Sequence, residues 1–165
     1  MIRCIVIGVA VVSFLVFGCP EWLSDEQCPY ALRAALYPLF HGNIAHLAAN
    51  CLAVWLSLNP RRKGLVWELV YGLAVSFLVY PLASKPIVGI SNALYAICGL
   101  RTPSLSSRWW RSAPVIAFLV ITAALLLFPQ FSAVTHIASF IAGVLMAHLR
   151  RTLKPYLQDV GRYVK

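Results

Sequence analysis

Apolar runs of the length of membrane helices recur along nearly the whole of this chain. We distinguish six, at Ile2–Gly18, Leu39–Leu58, Leu65–Leu82, Ile87–Leu100, Ala113–Phe128 and Ala133–Leu149. Hydrophobic residues make up 61% of the chain and charged residues 12%, whereas a soluble domain carries about 25% charged residues. A helix of roughly 17–25 apolar residues crosses a bilayer. The sequence therefore predicts an all-α polytopic membrane protein with six transmembrane helices.

The first apolar run allows a second interpretation. It starts beside the basic Arg3 and ends at Gly18-Cys19, an arrangement that is also typical of a secretory signal peptide. Removal of this segment would leave five crossings.

The basic residues are distributed unequally between alternate loops. If the N-terminus is cytoplasmic, every Lys and Arg except Arg33 and Lys85 lies on the cytoplasmic side. An excess of Lys and Arg in cytoplasmic loops is what orients membrane proteins. We therefore predict that both termini are cytoplasmic, in a membrane of the bacterial inner type. The net charge of +9 follows from this distribution, and no nucleic-acid partner is predicted.

The apolar segments leave no room for a water-soluble domain. We predict one transmembrane domain over residues 1–150 and a basic cytoplasmic tail over residues 151–165, lying on the anionic inner leaflet. Glu68, one turn into the third segment, is predicted to pair with a basic residue of the preceding loop, Arg61–Lys63.

Four polar side chains of catalytic type lie inside the apolar segments: His46, Asn50, Ser91 and His136. Polar and ionisable residues in a membrane are functional-site candidates, because hydrocarbon offers them no hydrogen-bond partners. The predicted topology places all four near the outer ends of the second, fourth and sixth segments. They are therefore expected to converge in one layer below the outer surface.

The fourth segment is too short for a full crossing. A helix from Gly89 to Leu100 spans about 18 Å at 1.5 Å per residue, whereas the hydrocarbon core is about 30 Å thick. We predict that this helix begins inside the membrane and that residues 84–88 dip in from outside. Irregular backbone at that depth must be buried in protein or line a watery cavity. Ser91 is accordingly expected at the floor of such a cavity.

Ser91 and His136 have the chemistry of a nucleophile and a base. A serine hydroxyl attacks only when a base takes its proton, and histidine is the usual base. The fourth and sixth segments contain no Asp or Glu, so we predict a dyad in which packing orients His136. Tyr95 follows Ser91 by four residues and shares its helix face, which places its ring against the imidazole. His46 and Asn50, also four apart, are predicted to stabilise the oxyanion together with the backbone N–H of Ser91.

Small residues predict a close approach of the fourth and sixth segments. They form small-xxx-small patterns of the kind that bring membrane helices together, at Gly89, Ala93, Ala96, Gly99, Ser139 and Gly143.

No metal or other cofactor is predicted. His41 and His46 have no carboxylate or thiolate at metal-binding spacing. Five cysteines, an odd number, argue against a disulfide framework. A pair between Cys19 and Cys28 in an oxidising outer compartment stays open.

From about Leu32 to Arg150 the chain resembles the rhomboid intramembrane serine proteases. That family has His-x4-His-x3-Asn on its second helix, Gly-x-Ser-Gly with a Tyr four residues after the serine on its fourth, and Ala-His before small residues on its sixth. The matching residues here are His41, His46 and Asn50, then Gly89, Ser91 and Tyr95, and then His136, Ser139 and Gly143. Asn92 stands at the second glycine of the serine motif, and Thr135 at the alanine before the histidine.

The resemblance implies a six-helix rhomboid-like bundle that hydrolyses a peptide bond within or beside a transmembrane helix. The implied partners are single-pass membrane proteins, as substrates, and membrane lipids. It also implies supporting roles for Gly89, for Tyr95 and, near the cavity mouth, for His41.

Two other classes of protein compete with this interpretation. The first is a catalytically inactive rhomboid-like protein that binds transmembrane segments for quality control, and the retention of Ser91 and His136 argues against it. The second is a small transporter or channel, which predicts internal repeats or a polar path to both faces. The sequence shows no repeat, and its polar cluster lies on one side only.

Overall fold

A computed structural model describes residues 1–18, 20–21, 28–58, 64–83, 87–102, 116, 120, 122 and 132–163, and of residues 155–163 the backbone only. The helices in these ranges are α1 (Ile2–Phe17), α2 (Tyr30–Leu36), α3 (Ile44–Ser57), α4 (Leu65–Val79), α5 (Ser91–Leu100) and α6 (Ala133–Tyr163). Two 3-10 turns, Tyr37–Leu39 and Tyr80–Leu82, follow α2 and α4. These ranges contain no β-strand.

The described helices have the length and surface of membrane helices. Two of them, Leu65–Leu82 and Ala133–Lys154, are long and apolar enough to cross a bilayer. The pair Tyr30–Leu39 and Ile44–Ser57, bent by 75°, makes a third if it counts as one span. Large apolar side chains point outward; Trp67, for example, is 72% exposed. A water-soluble surface rarely carries such apolar patches, and the chain is a membrane protein.

Helix α5 lies at the centre of the bundle. All but two of its residues are buried, and Ala93, Ala96 and Ile97 are fully enclosed. It packs mainly against α6 and α4, and more lightly against α3. A helix of ten residues enclosed in this way meets protein rather than lipid along its whole length.

The contact between α5 and α6 depends on two glycines that pack reciprocally. A Cβ atom on Gly99 would overlap the carbonyl oxygen of Phe140 in α6, and a Cβ on Gly143 would overlap the carbonyl oxygen of Ala96 in α5. The two backbones therefore touch directly. The predicted close approach through small residues is confirmed at these positions.

Helix α1 is held against α3 at its N-terminal end. The guanidinium of Arg3 lies 4.0 Å from the centre of the Trp55 ring and donates a hydrogen bond of 3.1 Å to the Trp55 carbonyl. Ile2, Val6 and Ile7 pack against the core cluster that α5 shares with α3. Helix α1 therefore packs against α3 and against the cluster around α5.

Arg101, directly after α5, joins the ends of three helices. Its guanidinium donates to the Glu68 carboxylate in α4 at 2.6 Å and 3.0 Å, and also to the carbonyl of Ser57 at the end of α3. The partners predicted for Glu68, Arg61–Lys63, lie outside the described residues. Arg101 lies 33 positions from Glu68 in the sequence, so no local pattern indicates this pair.

Three predicted helix boundaries were wrong. Helix α3 begins at Ile44 rather than near Leu39, because Asn43 is extended and its side-chain oxygen accepts the His46 N–H at 2.8 Å, an N-cap bond. Helix α5 begins at Ser91, two residues after the predicted Gly89. Helix α6 does not end with its apolar run but continues to Tyr163.

Several predictions fall outside the described residues. The fifth apolar segment, Ala113–Phe128, is described only at positions 116, 120 and 122, and Cys19 is not described. The division between a transmembrane domain at 1–150 and a tail at 151–165 stays a prediction.

Candidate active site

The structure brings Ser91 and His136 into direct contact. Ser91 is the first residue of α5, and His136 lies in the first turn of α6. The distance from Ser91 Oγ to His136 Nε2 is 2.8 Å, which is a hydrogen bond. The close packing of α5 on α6 holds the two side chains at this separation.

A backbone carbonyl fixes the protonation of the imidazole. His136 Nδ1 lies 2.6 Å from the carbonyl oxygen of Ser132, the residue directly before α6. A carbonyl oxygen only accepts hydrogen bonds, so Nδ1 carries the proton. Nε2 is then unprotonated and accepts from the Ser91 hydroxyl. The sequence prediction relied on packing alone to orient His136 and missed this acceptor.

Tyr95 holds the same imidazole from another side. Its ring centre lies 4.7 Å from that of His136, with an angle of 66° between the ring planes. This is an edge-to-face contact rather than a parallel stack. Both side chains are buried. The ring contact that the spacing of Ser91 and Tyr95 predicts is present.

His46 and Asn50 converge on the backbone at Gly89. They lie one turn apart in α3. A Cβ atom on Gly89 would lie 2.8 Å from Asn50 Nδ2 and 2.9 Å from His46 Nε2. Gly89 also has a φ of 95°, which favours glycine. The two side-chain nitrogens therefore approach one point beside the segment that leads into Ser91.

Asn50 is a buried hydrogen-bond donor with no acceptor among the described residues. The residue is 5% exposed, and Nδ2 has no hydrogen-bond partner within the described part of the chain. Buried unpaired polar groups are rare in folded proteins and call for an explanation. The backbone N–H of Ser91 is a second available donor, because the first N–H groups of a helix have no acceptor within it.

His41 lies apart from the dyad. It is fully buried before the start of α3, and its ring centre is 5.3 Å from that of His46, with 66° between the planes. Its side chain therefore contacts His46, one of the two predicted oxyanion donors, rather than Ser91 or His136.

A scan against protein-family profiles matches residues 29–152, most of the chain, to the rhomboid domain. This chain belongs to the rhomboid family. Members of the family are generally intramembrane serine proteases. Comparison with curated proteins and with solved structures gave no significant match.

This rhomboid-family chain has a polar contact beside Ser91 that its sequence did not reveal. The Asn92 side chain donates to the hydroxyl of Tyr37 at 3.1 Å, and that hydroxyl donates to the Ser76 carbonyl at 3.1 Å. The carbonyl of Tyr37 in turn accepts the Gly89 N–H at 2.9 Å. Sequence analysis singled out Asn92 as a departure from the family motif but assigned no role to Tyr37, which lies 55 positions away.

No metal-binding group appears among the described residues of this rhomboid. They contain no cluster of three or more His, Cys, Asp or Glu side chains that could hold a metal ion.

Proposed function

We propose that the protein is an intramembrane serine endopeptidase that hydrolyses a peptide bond within or beside a substrate's transmembrane helix. The observation that carries the proposal is the 2.8 Å contact between Ser91 Oγ and His136 Nε2. It is reinforced by the Ser132 carbonyl, which leaves Nε2 free to take a proton.

The first chemical step is attack by Ser91 on the substrate carbonyl carbon. Nε2 of His136 removes the hydroxyl proton as Oγ bonds to the carbon. In the resulting imidazolium, the Nδ1–H group remains hydrogen-bonded to the Ser132 carbonyl. This bond stabilises part of the new positive charge on the ring. In this chain a neutral carbonyl therefore takes the orienting role that an aspartate has in a Ser-His-Asp triad.

The tetrahedral intermediate places a negative charge on the former carbonyl oxygen. Asn50 Nδ2 and His46 Nε2 are directed toward one point near Gly89, and the Ser91 N–H lies at the positive end of α5. Loss of one such donor typically lowers turnover 10²–10³-fold. We assign His46 and Asn50 to oxyanion stabilisation, with Gly89 leaving space for them and His41 supporting His46.

The intermediate collapses when His136 returns its proton to the leaving amine, which breaks the C–N bond. The first product departs and leaves an acyl ester on Ser91 Oγ. His136 then removes a proton from a water that attacks the ester, and its return to Oγ releases the acid product. No metal or cofactor takes part in these steps.

The membrane arrangement and the partners belong to the same proposal. We infer six crossings with a short fourth helix that begins inside the membrane, and cytoplasmic termini in a bacterial inner membrane. The domain covers residues 1–150, and the basic tail 151–165 lies at the cytoplasmic side. By family resemblance, single-pass membrane proteins are the expected substrates, and membrane lipids surround both. The substrate helix must unwind to expose a carbonyl to Ser91, because a helix holds its carbonyls in hydrogen bonds.

Labelling with a fluorophosphonate probe, together with cleavage of a model transmembrane substrate, tests the proposal. We expect the purified chain to be labelled at Ser91 and to cleave the substrate. Ser91→Ala and His136→Ala should abolish both activities while the protein remains folded. His148→Ala is the matched control, because His148 is an exposed histidine far along the same helix, and it should leave both activities intact.

Two outcomes would contradict the proposal. A chain that is folded but neither labelled nor active would favour the inactive rhomboid-like protein that binds transmembrane segments. Equal losses from His136→Ala and His148→Ala would indicate a general defect of α6 rather than a missing base.

A further inference from the structure

The segment that carries Ser91 is held at both ends by one residue, Tyr37. Its backbone carbonyl accepts the N–H of Gly89, two residues before Ser91, at 2.9 Å. Its hydroxyl accepts a hydrogen bond from Asn92, the residue after Ser91, at 3.1 Å. Ser91 therefore lies between two residues, Gly89 and Asn92, that each donate a hydrogen bond to Tyr37.

The Ser76 carbonyl determines which group donates in the hydrogen bond between Tyr37 and Asn92. The Tyr37 hydroxyl lies 3.1 Å from the Ser76 carbonyl in the last turn of α4, and that carbonyl can only accept. The phenolic hydrogen is thus committed to Ser76. The oxygen faces Asn92 as an acceptor, so the amide NH₂ rather than the amide oxygen must face Tyr37.

Tyr37 is itself firmly placed. It is fully buried, and its ring stacks on that of Tyr80 with centres 5.1 Å apart and planes 29° apart. Ala34 and Phe40 belong to the same apolar cluster. The hydroxyl is consequently a fixed point, set by α2 and α4, to which the start of α5 is attached.

Asn92 makes this attachment possible in this chain. A glycine at position 92 would have no side chain to reach Tyr37, whereas the asparagine is 2% exposed and fills the space between α5 and the Tyr37 hydroxyl. Because Asn92 follows Ser91 directly, a shift of Asn92 turns the first residue of α5. Misplacing a reacting group by about 1 Å can lower a rate on the order of 10²-fold.

We propose that Tyr37 and Asn92 form a clamp that positions Ser91 for its contact with His136, and that both are positioning residues of the reaction. The clamp rests on the proposed protease function. It acts on the orientation of the nucleophile and not on the binding of substrate. Its loss should therefore lower kcat and leave KM nearly unchanged.

The test compares two substitutions that each remove one tyrosine hydroxyl bonded to a backbone carbonyl. Tyr37→Phe removes the clamp oxygen. Tyr71→Phe is the matched control, because the Tyr71 hydroxyl donates to the Ala142 carbonyl at 2.7 Å and links α4 to α6 away from Ser91. kcat, KM, the rate of fluorophosphonate labelling and the melting temperature are measured on the full-length chain in detergent.

We expect Tyr37→Phe to lower kcat and the labelling rate about tenfold, within the range for a misplaced reacting group, with KM changed less than twofold. Tyr71→Phe should lower the melting temperature about as much as Tyr37→Phe does, and it should leave kcat unchanged. Asn92→Gly should lower kcat as Tyr37→Phe does. The double variant should be no slower than either single one, because both changes break the same hydrogen bond.

The results separate this clamp from the protease function itself. Suppose that the unsubstituted chain is labelled at Ser91 and that Tyr37→Phe retains full kcat, or loses no more of it than Tyr71→Phe does. The clamp hypothesis is then wrong, and the proposed protease function is unaffected. Additive losses in the double variant would also refute the clamp. If the unsubstituted chain is neither labelled nor active, both proposals fall together.

Discussion

Substitution of Gly89 by alanine should separate the geometry of the oxyanion site from the stability of the fold. The new Cβ would lie 2.8 Å from Asn50 Nδ2 and 2.9 Å from His46 Nε2, well inside the usual carbon–nitrogen contact distance. Both nitrogens belong to side chains and can move away. We therefore expect the protein to fold with both donors displaced from their common point.

The size of the effect follows from two contributions. An alanine at a φ of 95° adds backbone strain of about 1–2 kcal/mol, which lowers stability. Displacing one oxyanion donor lowers turnover by roughly 10²–10³-fold, and Gly89→Ala disturbs two. Turnover per folded molecule should therefore fall at least about 100-fold, while the melting temperature falls by only a few degrees.

Gly64→Ala is the matched control for this experiment. Gly64 has a φ of 82°, and no atom of the described residues lies within 4 Å of a Cβ placed on it. It thus carries the same backbone strain without the contact to His46 and Asn50. The assay measures turnover of a transmembrane substrate and thermal unfolding on the same detergent-purified samples. Equal turnover of the two variants, corrected for the folded fraction, would refute the assignment of Gly89 to the oxyanion site.

Three further changes test other contacts. Asn50→Ala should lower turnover roughly 10²–10³-fold with little change in KM or melting temperature; a lower melting temperature with unchanged turnover would make Asn50 a packing residue. Gly143→Val should destabilise the bundle, whereas Gly8→Val, with no atom of the described part of the chain within 4 Å of its Cβ position, should be tolerated in thermal unfolding. Arg101→Met removes the ion pair that Arg101 forms with the buried Glu68 carboxylate and should lower the free energy of unfolding by about 3–5 kcal/mol; the double variant with Glu68→Leu should recover most of this loss in the same measurement.

The parts of the site that the sequence predicted are those that depend on spacing along one helix. Ser91 and Tyr95 lie four apart in α5, and His46 and Asn50 lie four apart in α3, so each pair shares a face. The contact of Ser91 with His136 was expected because small residues on two helices allow their backbones to meet. These inferences rest on helix periodicity, residue size, side-chain chemistry and the predicted topology.

The parts that the sequence did not predict depend on groups that have no sequence signature. Every residue before a helix has a carbonyl, so nothing in the chain singles out Ser132 as the acceptor for His136. Tyr37 and Asn92 lie 55 positions apart in the sequence, and their contact depends on where α2 ends. The start of α3 at Ile44 was readable from the capping residue Asn43, but the apolar run that begins at Leu39 was given more weight.

The direct backbone contact at Gly99 and Gly143 has a consequence for how the protein responds to its lipid environment. Single helices adapt to a thinner or thicker bilayer by changing their tilt. Two helices whose backbones touch must tilt as one body, because sliding would drive each glycine out of the space that its missing side chain leaves. Ser91 and His136 travel with that body. We expect their separation to be independent of acyl-chain length, so that bilayer thickness alters which substrate helices reach the dyad and leaves the dyad itself unchanged.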